Sequence, residues 1–86
     1  MDNWQDMLIE EMTNRGETMA DVESSTLTSE QMKVNFDSGF GSTHGEPFTV
    51  WTRNSVYFPI CYDGAESCGS VSRNPDEKPT AHQGGG

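Results

Sequence analysis

The chain is poor in cations. Five Lys and Arg stand against fourteen Asp and Glu, a net charge of −9 at pH 7. That balance excludes a direct nucleic-acid binder, because phosphate contacts need Lys and Arg. Apolar side chains are also scarce, at 31% of 86 residues. No apolar run approaches the roughly 18–20 residues of a membrane span. The opening Met1-Asp2-Asn3-Trp4 has neither the basic nor the apolar region of a secretory signal, so a cytoplasmic protein is expected. A chain of this length forms one domain and buries only about 60–65% of its unfolded surface. Deep clefts between domains are thereby excluded.

Cysteine is nearly absent. Cys61 and Cys68 are the two present, and in a reducing compartment they stay free thiols. A zinc site wants close Cys pairs with further ligands. The remaining candidates, His44 and His82, lie at irregular distances. No metal and no cofactor are expected.

What is abundant is acid, and it is unevenly placed. Residues 1–30 hold eight acids and one base, Arg15, whereas residues 31–86 hold six acids and four bases. Within the first third, Trp4, Met7, Leu8 and Met12 recur at the spacing of one helical face. Asp2, Asp6 and Glu10 recur every four residues on roughly the opposite face. Asp2 or Asn3 can cap the start, and Asn14-Arg15-Gly16 reads as the close. A short helical turn is expected at Glu17–Val22, then an edge strand and a capped turn at Ser29-Glu30 within residues 23–31.

Lys33 to Asp37 alternates polar and apolar, which predicts a half-buried strand. Ser38 to Glu46 reads as a loop. Three β-rich runs follow, Phe48–Thr52, Ser55–Tyr62 and Glu66–Ser72, separated by Arg53-Asn54 and by Asp63-Gly64, a strong hairpin dipeptide. Two-residue turns set Trp51 opposite Val56, Val56 opposite Val71, and Ile60 opposite Ser67. One face then collects Trp51, Val56, Phe58, Ile60, Tyr62 and Val71, and this face is expected to receive the helix. The other carries Phe48, Val50, Tyr57 and both cysteines, and is expected to stay partly exposed. The register makes Cys61 and Cys68 diagonal neighbours about 7–8 Å apart, beyond the roughly 6.8 Å reach of a disulfide. Pro59 turns its missing N–H toward the Phe48 strand, so pairing there should end near Thr49. The fold class is therefore α+β: an N-terminal helix on a three- to four-stranded antiparallel sheet. Residues 1–73 form the domain, and residues 74–86, rich in Pro and Gly, form a tail.

Gly39-Phe40-Gly41-Ser42-Thr43-His44-Gly45 brushes against a phosphate-binding glycine fingerprint. That chemistry needs a helix N-terminus after the loop, and here a strand follows. His44 beside Asp37 or Glu46 would be needed for a small hydrolase, but no nucleophile at a sharp elbow accompanies it. The chain reads as non-catalytic.

The acids Asp2, Asp6, Glu10, Glu11, Glu17, Asp21 and Glu23 remain. An ordinary exposed helix mixes Lys with Glu to form i,i+4 pairs, and only Arg15 interrupts this series. The alternatives are a solvated face and a surface complementary to a basic groove on a partner. Tyr57, assigned to the outer sheet face, joins these acids as a candidate anchor. In length, acidity and the combination of an acidic helix with a hairpin sheet, the chain resembles small acidic phage-encoded inhibitors of host defence, anti-CRISPR proteins above all. The resemblance covers the whole chain in type, and no residue is carried over by motif. It implies a partner that is a basic protein or protein–RNA complex, specifically a bacterial Cas effector in the host cytoplasm, denied its target DNA or guide RNA. An acidic regulatory or antitoxin-like module for a basic partner is the alternative. A monomer is expected.

Overall fold

The first helix, α1 (Trp4–Arg15), begins where Asn3, not Asp2, supplies the cap. The Asn3 side-chain oxygen accepts the backbone N–H of Asp6 at 2.9 Å. It ends at Gly16, whose φ of 75° reverses the chain in the left-handed conformation that glycine adopts without a Cβ penalty. Gly16 N–H donates to Thr13 O and Glu17 N–H to Met12 O, which satisfies two of the last-turn carbonyls. The computed structural model describes residues 3–36, 45–62, 65–75, 77–80 and 82.

A 3₁₀ turn (Met19–Asp21) leads into β1 (Val22–Ser25), followed by one short helix, α2 (Ser29–Met32). Thr28 caps α2, its hydroxyl accepting from Gln31 N–H while Gln31 Oε1 accepts from Thr28 N–H. The rest of the sheet is β2 (Val50–Thr52), β3 (Ser55–Tyr62) and β4 (Ala65–Ser72), antiparallel in the order β1-β2-β3-β4. The fold is α+β.

The hairpin register matches the sequence-derived one pair for pair: Trp51↔Val56, Val56↔Val71, Ile60↔Ser67, Cys61↔Glu66 and Pro59↔Cys68. Both cysteines are free. The Phe48–Thr52 run shortens to Val50–Thr52, and its last partner on β3 is Tyr57. Pairing with β3 ends there, as the missing N–H of Pro59 leads one to expect, while on the opposite edge of β2 the ladder toward β1 continues through Thr26 N–H to Thr49 O and Thr49 N–H to the Thr26 hydroxyl.

Two expectations are overturned. Lys33 to Phe36 is not a strand. Val34 is 63% exposed, and Phe36 forms only an isolated bridge while burying its ring against Trp4. Asp37, the end of that segment, lies outside the described residues. More consequentially, α1 packs on the opposite sheet face from the one its apolarity suggests. The core is Trp4, Leu8, Met12, Met32, Phe36, Phe48, Val50 and Tyr57, with Met7, Val22, Leu27 and Cys68 packed against it. Trp51, Val56, Phe58, Ile60 and Val71 point the other way and are half-buried.

The inversion has a polar cause. The inward face carries Thr52, Ser55, Glu66 and Ser70, all buried, which makes it look wet in one dimension. Each finds a partner in three. Thr52 Oγ1 donates to Glu17 and accepts from Ser55 N–H, Ser70 bonds to Glu11 and Arg15, and Glu66 accepts from Gly45 N–H. Buried polar groups that are paired cost little, and their small side chains admit the helix closely. Trp4 anchors the other end: its indole N–H donates to Glu46 O at 3.0 Å, and its ring meets Phe36 and Phe48 at centroid distances of 4.9 and 4.7 Å.

Candidate functional site

The acidic residues divide by where the backbone sends them. Asp6 and Glu10, one turn apart on α1, are exposed. Asp6 accepts from the Asn3 side-chain amide at 3.2 Å, and the same amide donates to Asn35 Oδ1 at 3.2 Å, tying the start of α1 to the segment after α2. Glu11 is half-buried and accepts from the Ser70 hydroxyl. Arg15 is the one cation on α1, and its Nε donates to that same hydroxyl at 2.6 Å. The cation thus leans on β4, one turn beyond Glu11, and away from Asp6 and Glu10.

Asp21 caps the 3₁₀ turn, accepting from Thr18 N–H at 2.9 Å. Glu23 is exposed and pairs with Arg73, whose guanidinium also donates to Thr52 O at 2.9 Å. An exposed pair of this kind contributes little to stability, about 0–1 kcal/mol. Its placement pins the chain after β4 to the β1 edge. Asp2 lies outside the described residues.

Glu17 and Tyr57 must be withdrawn from any partner surface. Glu17 is 7% exposed and Tyr57 0%. The Tyr57 hydroxyl donates to Glu17 Oε1 at 2.6 Å and the Thr52 hydroxyl donates to the same oxygen at 2.8 Å. Burial alone would raise the Glu17 carboxyl, but hydrogen bonds from Tyr57, Thr52, Ser55 and the Asn54 main chain hold it below its ordinary value. Burial and the neighbouring carboxylate push the Tyr57 phenol up. The buried Oε2 of Glu17 has no hydrogen-bond partner. This cluster joins the exit of α1 to the β2–β3 hairpin; it is structural.

A local signal pointed there. Glu17 is the second residue after the helix, where a left-handed glycine folds the chain back over the last turn. That position faces the core, whatever the residue's polarity. Cys68, on the same inward face, has its thiol pushed up to about 12 by burial and by the charge of Glu11.

The hydrolase expectation rests on His44 and Asp37, which lie outside the described residues. Glu46 is exposed. Among the described residues, no three His, Cys, Asp or Glu are grouped to hold a metal ion, and no helix is long and apolar enough to cross a membrane. A small apolar cavity of about 70 Å³, lined by Leu8, Met19, Val22, Leu27, Met32 and Val50, sits between α1 and the β1 side of the sheet. No protein-family model, curated protein or solved structure matches the chain.

Proposed function

We propose that the protein is a non-catalytic inhibitor of anti-CRISPR type, which acts by setting the exposed acidic face of α1 on a basic nucleic-acid-binding surface. The supporting observation is the arrangement on α1: Asp6 and Glu10 face solvent while Arg15 is held by Ser70. Uncompensated like charge on one helix face costs stability. It also steers a basic partner from a distance and accelerates encounter. Glu11, half-buried beside Ser70, forms the edge of this surface. Asp21 and Glu23 are held by a cap and by Arg73 and contribute field rather than contacts.

The proposed partner is a basic protein or protein–RNA complex, with a Cas effector as the case the resemblance implies. The partner would lose access to target DNA or guide RNA because the acidic face occupies the same groove.

The test uses the protein as bait in bacterial lysate at low and high salt, beside an Asp6→Lys/Glu10→Lys variant. Wild type should recover a basic nucleic-acid-handling complex at low salt and lose it at high salt. The variant should fold normally and recover nothing, and added wild type should block DNA binding by the recovered complex. Retention of the partner by the variant would remove α1 from the site. A salt-resistant single partner that handles no nucleic acid would favour the regulatory or antitoxin-like reading.

A further inference from the structure

The two edges of the sheet differ. β1 has four residues, its register slips between Val22 and Ser24, and it carries the Glu23–Arg73 ion pair. β4, at the other edge, has eight residues with no Lys, Arg or Pro, and among the described residues no strand pairs with its outer side. Its one charged side chain, Glu66, turns inward to accept from Gly45 N–H. Short or irregular strands, Pro and outward Lys keep an edge from pairing. From Ser67 to Ser72, β4 has none of them.

The ladder fixes which main-chain groups face out. Arg73 N–H donates to Asn54 O, continuing the register in which Val71 meets Val56 and Gly69 meets Phe58. Antiparallel pairs alternate between bonded and non-bonded, so Ser67, Gly69 and Val71 direct their N–H and C=O groups to β3. Cys68, Ser70 and Ser72 turn theirs outward, each about 6.8 Å from the next.

Helix α1 borders that edge without closing it. A cavity of about 210 Å³ lies between Met7, Glu10, Glu11 and Asn14 on the helix and Ser67 and Cys68 on β4. A second, of about 740 Å³, continues along Ser70 to Ser72 and shares the Glu11 and Asn14 wall. The first holds two carboxylates and no cation. In the second, Arg15 Nε is bonded to Ser70, and Lys78 is itself engaged.

We propose that this groove binds an extended, basic peptide segment of a partner protein, which adds to β4 as a further strand. Outward N–H and C=O groups at every second residue match an extended backbone and not a helix. Alternate side chains of the added strand point toward α1, where Glu10 and Glu11 favour Lys or Arg. The others come beside Ser67, Gly69 and Val71 and extend the half-buried apolar row of Phe58 and Ile60, so they are apolar. The pattern recognised is a short alternation of basic and β-branched residues. A second copy of β4 would bring two sets of Glu10 and Glu11 together, and like charge opposes that pairing. The groove shares Glu10 and Glu11 with the acidic face described above, but it needs no nucleic-acid-handling partner, so either reading can fail alone.

Amide hydrogen exchange followed by NMR on the whole chain tests this, with a capped octapeptide of alternating Lys and Val as the probe. In the free protein, the amides of Cys68, Ser70 and Ser72 should exchange faster than those of Gly69 and Val71. With about 1 mM peptide, the first three should slow by about tenfold, one added hydrogen bond each, and the other two should not change. The same peptide with an N-methylated backbone keeps the charge but has no N–H to donate. It should give no protection, nor should a peptide with Glu in place of Lys. Glu10→Lys should weaken the Lys peptide several-fold and leave the free exchange pattern as it is. Unchanged exchange at the three outward amides, equal protection by either control peptide, or undiminished binding to Glu10→Lys would overturn the proposal. Protection that is present without peptide and grows with protein concentration would give the edge to a second copy, and would overturn it too.

Discussion

Tyr57 donates its hydroxyl to Glu17 at 2.6 Å across forty residues of sequence, and both side chains are closed off from water. The bond closes the exit of α1 onto the middle of the sheet. With Thr52 on the same oxygen, it turns a carboxylate into part of the core.

Tyr57→Phe leaves Glu17 with one donor fewer in a buried site. Losing a hydrogen bond to a buried charged acceptor costs about 1–3 kcal/mol, so the urea midpoint should fall accordingly. Thr52→Val should cost a similar amount, and the double variant should depart from additivity because both act on one oxygen. An unchanged midpoint in Tyr57→Phe would show that Glu17 does not depend on the phenol.

Acid and alkali should each weaken the fold through the same pair. The folded Glu17 carboxyl sits below its ordinary 4.5, so its contribution is complete above that value and is lost as pH falls through the lower folded one. The Tyr57 phenol sits above its ordinary 10.0, so its contribution is complete below that value and is lost as pH rises past it. Urea midpoints measured against pH should show both limbs. Glu17→Gln should flatten the acid limb and Tyr57→Phe the alkaline one; limbs that persist in both variants would assign them to other groups.

Two glycines should respond differently to alanine. At Gly45 a Cβ would lie 2.6 Å from Trp4 Cζ2 and 2.8 Å from Phe36 Cζ, rings locked in the core. Overpacking of this kind costs about 1–3 kcal/mol. At Gly69 the obstacles are Ile60 Cδ1 at 2.2 Å, Ile60 Cγ1 at 2.8 Å and Phe58 Cε2 at 3.1 Å, half-buried side chains outside the core that can yield by changing rotamer. Thermal unfolding should therefore place Gly45→Ala well below Gly69→Ala. The reverse order would mean that Ile60 is held as firmly as the core rings.

Cys68 should resist alkylation. Its thiol is pushed up to about 12, so at pH 8 almost no thiolate is present to react. Peptide mapping should find Cys68 unmodified in the folded protein and modified after denaturation. Rapid native labelling would place it outside the packed layer between α1 and β4.

Much of the local structure was legible along the chain because it depends on neighbours. The apolar repeat from Trp4 to Met12 marks the helix, and Gly16 marks its end. Asp63-Gly64 and Arg53-Asn54 place Val56 against Val71 and Trp51, since two-residue connections leave little freedom in register. Lys33–Asp37 misled for a related reason: an alternating pattern only five residues long is satisfied equally by a bridge and an exposed turn. The exposed acids Asp6 and Glu10 were legible from helical spacing. Tyr57 was not, because it looks like an outer-face residue until Glu17 is beside it, and Glu17 was signalled only by its place two residues past the helix.

The sequence by itself determined the α+β class, the limits of α1, the strand register and the acidity of the first third, all set by spacing over a few residues and by composition. The tertiary structure alone decided which sheet face α1 covers. Apolarity favours the face of Trp51, Val56, Phe58, Ile60 and Val71. The helix took the other because Glu17, Glu11 and Arg15 bring hydrogen bonds to Thr52, Tyr57 and Ser70, partners distant in the chain. Burial follows from how completely a face is satisfied, and that sum includes bonds no local pattern records.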